Sequence, residues 1–127
     1  MIATKIDGKY WMYFGDTDLF IATSEDLIRW TPVESDGKFK SVLTPRPGYF
    51  DSRLVESGPY AIKSDKGIVL IYNGMNLESG GDPTLSPGAY CVGQALFSSD
   101  DPTRVIDRLE HYFMKPDRPY ELTGQID

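Results

Sequence analysis

An all-β fold of antiparallel hairpins is predicted by three features of this 127-residue sequence. Aromatic residues make up 13% of it, with eight Tyr, six Phe and two Trp, types that suit a pleated surface better than a helix. Short apolar runs of strand length are separated by clusters of Gly, Asp, Ser and Pro, which is turn chemistry. The third feature is internal: the pattern of a hairpin in the first half returns in the second, as expected of repeated sheet units.

Taken in order, Lys9–Phe14 carries aromatic side chains on both faces, which predicts a strand sandwiched between neighbouring sheets. After the turn signal Gly15-Asp16-Thr17-Asp18, Leu19–Thr23 reads as its hairpin partner, and Asp26–Trp30 as a short outer strand or a turn. Residues 34 to 50, rich in Gly, Pro, Ser and Lys, read as a surface connection. Pro59–Ile62, Ile68–Tyr72 and Tyr90–Phe97 then read as three successive strands, with Ser64–Gly67 as a turn and Glu78–Gly88 as a loop long enough to cover a site.

The repeat lies in two segments: Lys9–Tyr13 followed by Ala22–Asp26 parallels Lys66–Tyr72 followed by Ala95–Asp100, with Tyr13 and Tyr72 59 positions apart. Two such units read as about two antiparallel blades of a propeller, one near residues 1–48 and the other within 49–127 with the start of the next. A propeller of this kind needs roughly four to eight blades, so two would leave edges and apolar faces open. Self-association or further blades are therefore expected to complete the ring.

Charge and composition narrow the partners. The formal net charge of −6, with no Lys/Arg cluster, argues against nucleic acid as a ligand. Apolar runs such as Ile68–Tyr72 fall far short of the ~20 residues that cross a bilayer as a helix, and Met1–Lys5 lacks a signal-peptide core. No membrane role is expected. Cys91 is the single cysteine, so no intrachain disulfide can form, and it reads as a buried strand residue. His111 stands alone, without ligands at metal spacing, so neither a metal nor a cofactor is expected.

Met12–Asp16, Ala22–Trp30, Phe50–Pro59, Ile71–Gly74 and Tyr90–Gln94 together resemble glycoside hydrolase family 130, and the resemblance covers nearly the whole chain. The pattern Ser24–Trp30 recurs in other sugar-cleaving five-bladed propellers; Phe50–Pro59 with Tyr72–Gly74 is the specific combination. The resemblance implies a five-bladed propeller acting on β-mannosides, as phosphorylase or hydrolase, with the sugar in a central funnel. In the phosphorylase branch, Leu54-Val55-Glu56 is matched by Lys-Ile-Gly and Asn73 by a phosphate-binding His. Leu54 and Asn73 carry no charge, and Glu56 would repel a phosphate in a partly desolvated funnel.

The departures therefore resemble the hydrolase branch, with a β-1,2-linked manno-oligosaccharide as the implied substrate and inversion as the implied course. In an extended segment Ser52, Leu54 and Glu56 share one face, and Asp51, Arg53 and Val55 the other. An inverting glycosidase needs a carboxylate base that activates water, and Glu56 is the candidate, as that base or as one of two carboxylates sharing the work. The bland alternative is that Glu56 only bonds the turn at Gly58-Pro59.

Asp51 is expected either to bind a sugar hydroxyl or to pair with Arg53, and Arg53 joins it as a candidate substrate contact. Asn73 and Gln94 are candidate hydrogen-bond partners of sugar hydroxyls, although amides at strand ends often satisfy only the backbone. Glu121 lies in Pro119–Gln125, which resembles the family segment leading into the following blade, and either contacts substrate or bonds a turn. One or two of Tyr10, Trp11, Tyr13, Tyr60 and Tyr72 are candidates to stack on sugar. The family's general acid is an Asp in a motif of an earlier blade that these residues do not contain, and neither Asp16 nor Asp51 stands in that motif. Two further readings stay open: a phosphorylase, and a non-catalytic carbohydrate-binding or structural piece.

Overall fold

The computed structural model describes residues 1–123; Gly124 and Gln125 of the Pro119–Gln125 segment lie outside the described residues. Two five-stranded antiparallel sheets pack face to face. The first runs in the order β1 (Ile2–Ile6), β2 (Lys9–Phe14), β3 (Leu19–Ser24), β4 (Thr31–Pro32), with β7 (Ser41–Leu43) also pairing with β3. The second runs β12 (Val105–Arg108), β11 (Tyr90–Phe97), β10 (Ile68–Met75), β8 (Leu54–Ser57), with β9 (Ile62–Lys63) also on β10. A small hairpin, β5 (Glu34–Ser35) with β6 (Lys38–Phe39), stands apart. The one helix among the described residues, α1 (Pro119–Leu122), has four residues, and none there is long and apolar enough to cross a membrane.

The core lies between the sheets. Ile2, Tyr13, Leu19 and Ile21 of the first meet Val55, Ile68, Leu70, Tyr72 and Phe97 of the second, all buried. Each such side chain contributes roughly 1.5–3 kcal/mol by leaving water. Tyr13 ties the sheets together: its ring lies 4.6 Å from that of Phe97, and its hydroxyl donates to the Pro102 carbonyl at 2.7 Å. The opposite face of the first sheet carries Phe14 and Phe20, which pack edge-on against Phe39 of the small hairpin.

The two hairpins β2–β3 and β10–β11 end in the same turn chemistry. Ser24 Oγ accepts the amides of Asp26 and Leu27, and Ser98 Oγ those of Asp100 and Asp101. With Asp26 Oδ1 taking the amides of Ile28 and Arg29, the Asp26–Trp30 segment is a turn.

Two expectations need correction. Residues 34 to 50 are more than a surface connection: they hold three strands, because Val42 and Leu43 are apolar enough to bury against the core while β7 pairs with β3. Pro59–Ile62 is not a strand, since proline has no amide to donate; the ladder resumes at Ile62, after a parallel bridge between Ala61 and Ile2. The strand preceding it is Leu54–Ser57. β1 and β12 are additional strands that the sequence reading did not assign.

Candidate functional site

The alternation of β8, β10 and β11 sorts their side chains onto two faces. Val55, Tyr72, Gly74, Cys91 and Gly93 turn to the core, whereas Leu54, Glu56, Ile71, Asn73, Met75, Val92 and Gln94 lie half-buried on the opposite face. Register places Glu56, Asn73 and Val92 in one cross-strand row and Leu54, Met75 and Tyr90 in the next.

Glu56 is held on a firm base. The amides of Val55 and Ser57 donate to the carbonyls of Thr17 and Gly15 at 3.0 and 3.3 Å, so the outer side of β8 is bonded to the β2–β3 turn while its inner side pairs with β10. The Glu56 carboxylate accepts a hydrogen bond from the Tyr90 hydroxyl at 3.2 Å, reaching across β10. The Gly58-Pro59 turn is thus not the partner of that bond. The phenol of Tyr90 is shifted upward from its ordinary pKa, first by partial burial and then by the charge and hydrogen bond of Glu56, with Arg53 pulling weakly the other way.

Beside this row opens a cavity of about 250 Å³ lined by Asn73, Tyr90, Met114, Lys115, Pro116 and Glu121 among others. It shares Tyr90, Lys115 and Glu121 with a groove of about 530 Å³ that runs under the loop at residues 84–89. Another depression, of about 320 Å³, lies at the far end of the first hairpin between Lys9, Ser24 and Arg29, away from the Glu56 row. No cluster of three or more His, Cys, Asp or Glu able to hold a metal is present among the described residues.

The candidate residues do not all meet here. Asp51 is 0% exposed and pairs with Arg46 at 2.9 Å and Arg108 at 2.7 Å, not with Arg53. It also accepts the Tyr72 hydroxyl at 2.7 Å, so its carboxylate is filled by protein donors and presents no surface to a sugar hydroxyl. The alternation expected for Asp51 and Arg53 fails because β8 begins only at Leu54; the backbone before it turns, which buries Asp51 and leaves Arg53 exposed. Gln94 borders a separate depression of about 270 Å³ with Lys66 and Leu96.

Glu121 lines the 250 Å³ cavity, but one of its oxygens accepts the amides of Asp117 and Arg118 at 2.9 and 2.8 Å. Those bonds hold its carboxyl below the usual range. Among the candidate stacking aromatics, Tyr13 and Tyr72 are buried in packing, Trp11 donates its indole N–H to Ile6, and Tyr10 lies under Lys5. Tyr60 is exposed.

Tyr90 and Lys115 are the residues that the sequence reading missed. For Tyr90 the signal was available: it is four residues before Gln94 on the same strand and therefore on the same face.

Fold and site define a class: an antiparallel all-β chain with a carboxylate, an amide and a phenol aligned on one half-open sheet face beside a groove. The chain belongs to glycoside hydrolase family 130, whose family model, described as beta-1,4-mannooligosaccharide phosphorylase, matches residues 1–127. A β-1,2-mannobiose phosphorylase of Listeria innocua is 32% identical over 127 residues, covering 94% of this chain and 32% of its own. A solved glycosyl hydrolase from Bacteroides ovatus is 50% identical with a TM-score of 0.92, covering 95% of this chain and 34% of its own. A solved structure from work on GH130 glycoside hydrolases that target β-1,2 mannosidic linkages in Candida mannan is 52% identical with a TM-score of 0.92, with the same coverage of 95% and 34%. The Listeria innocua phosphorylase in complex with β-1,2-mannobiose is 30% identical with a TM-score of 0.73, covering 94% of this chain and 31% of its own. The chain spans about a third of the length of the curated relatives it matches.

Proposed function

We propose that this chain supplies about two blades of a five-bladed propeller, and that the complete propeller hydrolyses β-linked mannosides, β-1,2-linked ones in particular, with inversion. The division into blades would fall near residues 48 and 49. The observation that carries the reading is Glu56, a carboxylate on a doubly bonded strand, facing the half-open side with uncharged Leu54 and Asn73 beside it. Further support comes from the solved glycosidases, 50% and 52% identical, against 30% for the phosphorylase complex.

In this reading Glu56 removes a proton from a water molecule as that water attacks the anomeric carbon on the face opposite the leaving group. A general acid, which the resemblance assigns to another blade, donates a proton to the departing oxygen. An inverting pair stands about 6.5–9.5 Å apart to admit the water. In the same reading Asn73 would bond a sugar hydroxyl, and Glu121 would border a neighbouring sugar. Gln94, beyond Val92 on the same face, and Arg53, whose charge acts on the Tyr90 phenol, would touch a substrate that extends along this face.

One observation favours phosphorolysis as a second reading: Lys115, a cationic residue, lines the same cavity as Asn73. The two reactions give different products. The complete protein incubated with β-1,2-mannobiose should release mannose at the same rate with and without inorganic phosphate, and Glu56→Gln should lower kcat by about 10²–10⁴-fold. Mannose 1-phosphate formed only when phosphate is present would refute hydrolysis.

A further inference from the structure

We infer that Tyr90 is a positioning residue for Glu56, fixing the carboxylate in the orientation from which it takes a proton from water; this rests on the hydrolytic reading above. The two residues are neither neighbours in sequence nor on paired strands. Glu56 stands on β8 opposite Asn73, and Tyr90 on β11 opposite Met75, with β10 between them. Two strand spacings separate β8 from β11, roughly 9.5 Å. The tyrosine side chain lies diagonally over β10 to bring its hydroxyl 3.2 Å from Glu56 Oε1. A serine or threonine at this position could not span that distance, and a phenylalanine would span most of it with no proton to donate.

The phenol is itself held in place. Tyr90 opens β11 directly after the 76–89 loop, and that loop is organised by Asn76, which is buried. The Asn76 backbone amide donates to Ala89, its side-chain amide donates to the carbonyls of Asp82 and Ser86, and its side-chain oxygen accepts the Asp82 amide. Gly81 is required beneath it, because a Cβ there would collide with the Asn76 side chain and come within 2.6 Å of Ser52 Oγ. Thus the point from which Tyr90 departs is set by a bonded loop, and the far end is set by Glu56 on a strand bonded on both sides.

Burial and the Glu56 charge push the phenol pKa upward, so the proton stays on Tyr90 and the bond runs in one direction, from hydroxyl to carboxylate. One oxygen of Glu56 accepts this bond, which leaves the other to take the proton of water in the proposed reaction. A donated hydrogen bond slightly weakens a carboxylate as a base, so this arrangement accelerates the reaction only through geometry. Geometry has the larger reach: a misplacement of about 1 Å costs on the order of 10²-fold in rate. Tyr90 is also 42% exposed, so it stands on the open side of the sheet and not in the core.

The test uses the complete propeller with β-1,2-mannobiose as substrate and compares Tyr90→Phe, Glu56→Gln and the parent. Tyr90→Phe should lower kcat by about 10–100-fold with KM moved less than about threefold. Its thermal midpoint should stay within about 2 °C, since the ring and its packing are kept. As a readout independent of turnover, spectroscopic titration of the tyrosine that Tyr90→Phe removes should show it ionising at lower pH in Glu56→Gln than in the parent. A Tyr90→Phe enzyme at the parental kcat, with Glu56→Gln inactive, overturns the positioning role and leaves the hydrolytic reading standing. Parental kcat in Glu56→Gln overturns both. A Tyr90→Phe loss that is carried by KM overturns the inference as well, because it makes Tyr90 a substrate contact.

Discussion

Replacing Asp51 by Asn tests the buried ion cluster that joins the 44–53 segment to the second sheet. Asp51 is wholly buried, while the side chains of Arg46 and Arg108 are only 19% and 13% exposed. In the parent, one carboxylate serves two guanidiniums and the Tyr72 hydroxyl. The amide is nearly the same size, so packing is kept, but the two cations lose their counter-charge and one oxygen acceptor becomes a donor pointed at them. Removing one partner of a buried pair typically costs about 3–5 kcal/mol. Two contacts survive and place the expected loss near the lower end, about 3 kcal/mol: Arg46 also donates to Leu109 O at 2.9 Å and Arg108 to Thr44 O at 2.7 Å. A chain of this length has roughly 6–19 kcal/mol of stability at the usual yield per residue, so the loss is a sizeable share. Urea denaturation of parent and variant, followed by near-ultraviolet and far-ultraviolet circular dichroism, should show the midpoint falling by about 1–3 M with little change in slope. A change below about 0.5 kcal/mol would mean that solvent already screens the cluster, as at a surface pair, and would refute the argument.

Two further outcomes follow from the same core. Burial pushes the Tyr72 phenol up to about 12 and the Cys91 thiol up to about 11. Because both folded pKa values lie above the unfolded ones, the folded state holds its protons longer; the stabilisation is complete below about pH 9 and is lost as pH rises through 9–11 for Cys91 and 10–12 for Tyr72. The urea midpoint should therefore be level at neutral pH and fall above about pH 9, and Tyr72→Phe should make the fall between 10 and 12 shallower, the remainder coming from the buried Tyr13 phenol, which is raised as well. The same thiol should react with an aromatic disulfide reagent at pH 8 at least about 100-fold more slowly than a free cysteine, and at full speed once urea unfolds the chain; fast labelling of the folded chain would contradict its burial.

Much of the fold was legible because the strongest strands carry their own signal. Lys9–Phe14, Leu19–Thr23 and Tyr90–Phe97 combine aromatic or β-branched residues with flanking turns, and all three form strands within one residue of the expected limits. β1 was missed because it is only five residues long and Ala3 and Lys5 dilute the signal of its β-branched Ile2, Thr4 and Ile6. β7 and β12 are short: β7 pairs with β3 across the intervening small hairpin, and β12 adds to the neighbouring β11 with only Val105 and Ile106 as apolar residues. In the site, alternation correctly put Leu54 and Glu56 on one face because both lie within β8. The same rule failed for Asp51, three residues upstream of β8, since a side-chain period of two holds only while the backbone is extended. Arg46 and Arg108 flank Asp51 from 5 and 57 positions away, and nothing in the local sequence marks them as its partners.

The row around Glu56 shows why the site and the fold cannot be separated. Gly15 to Asp18 reads in the sequence as a simple turn between two strands, yet its carbonyls at Gly15 and Thr17 take the amides of Ser57 and Val55 and so form the second wall of β8. Gly15 sits at φ +128°, and a Cβ there would collide with the Asp18 carbonyl and lie 3.3 Å from the Phe20 ring, so only glycine lets the turn lie this close. The strand that carries Glu56 is therefore built from the second sheet on one side and from a turn of the first on the other. Any motion of the sheets relative to each other would move the carboxylate against Asn73 and Tyr90, which stand on the second sheet alone. The core between the sheets, with Tyr13 bonded to Pro102 and its ring tilted against that of Phe97, opposes that motion and so belongs to the positional control of Glu56 as much as to stability.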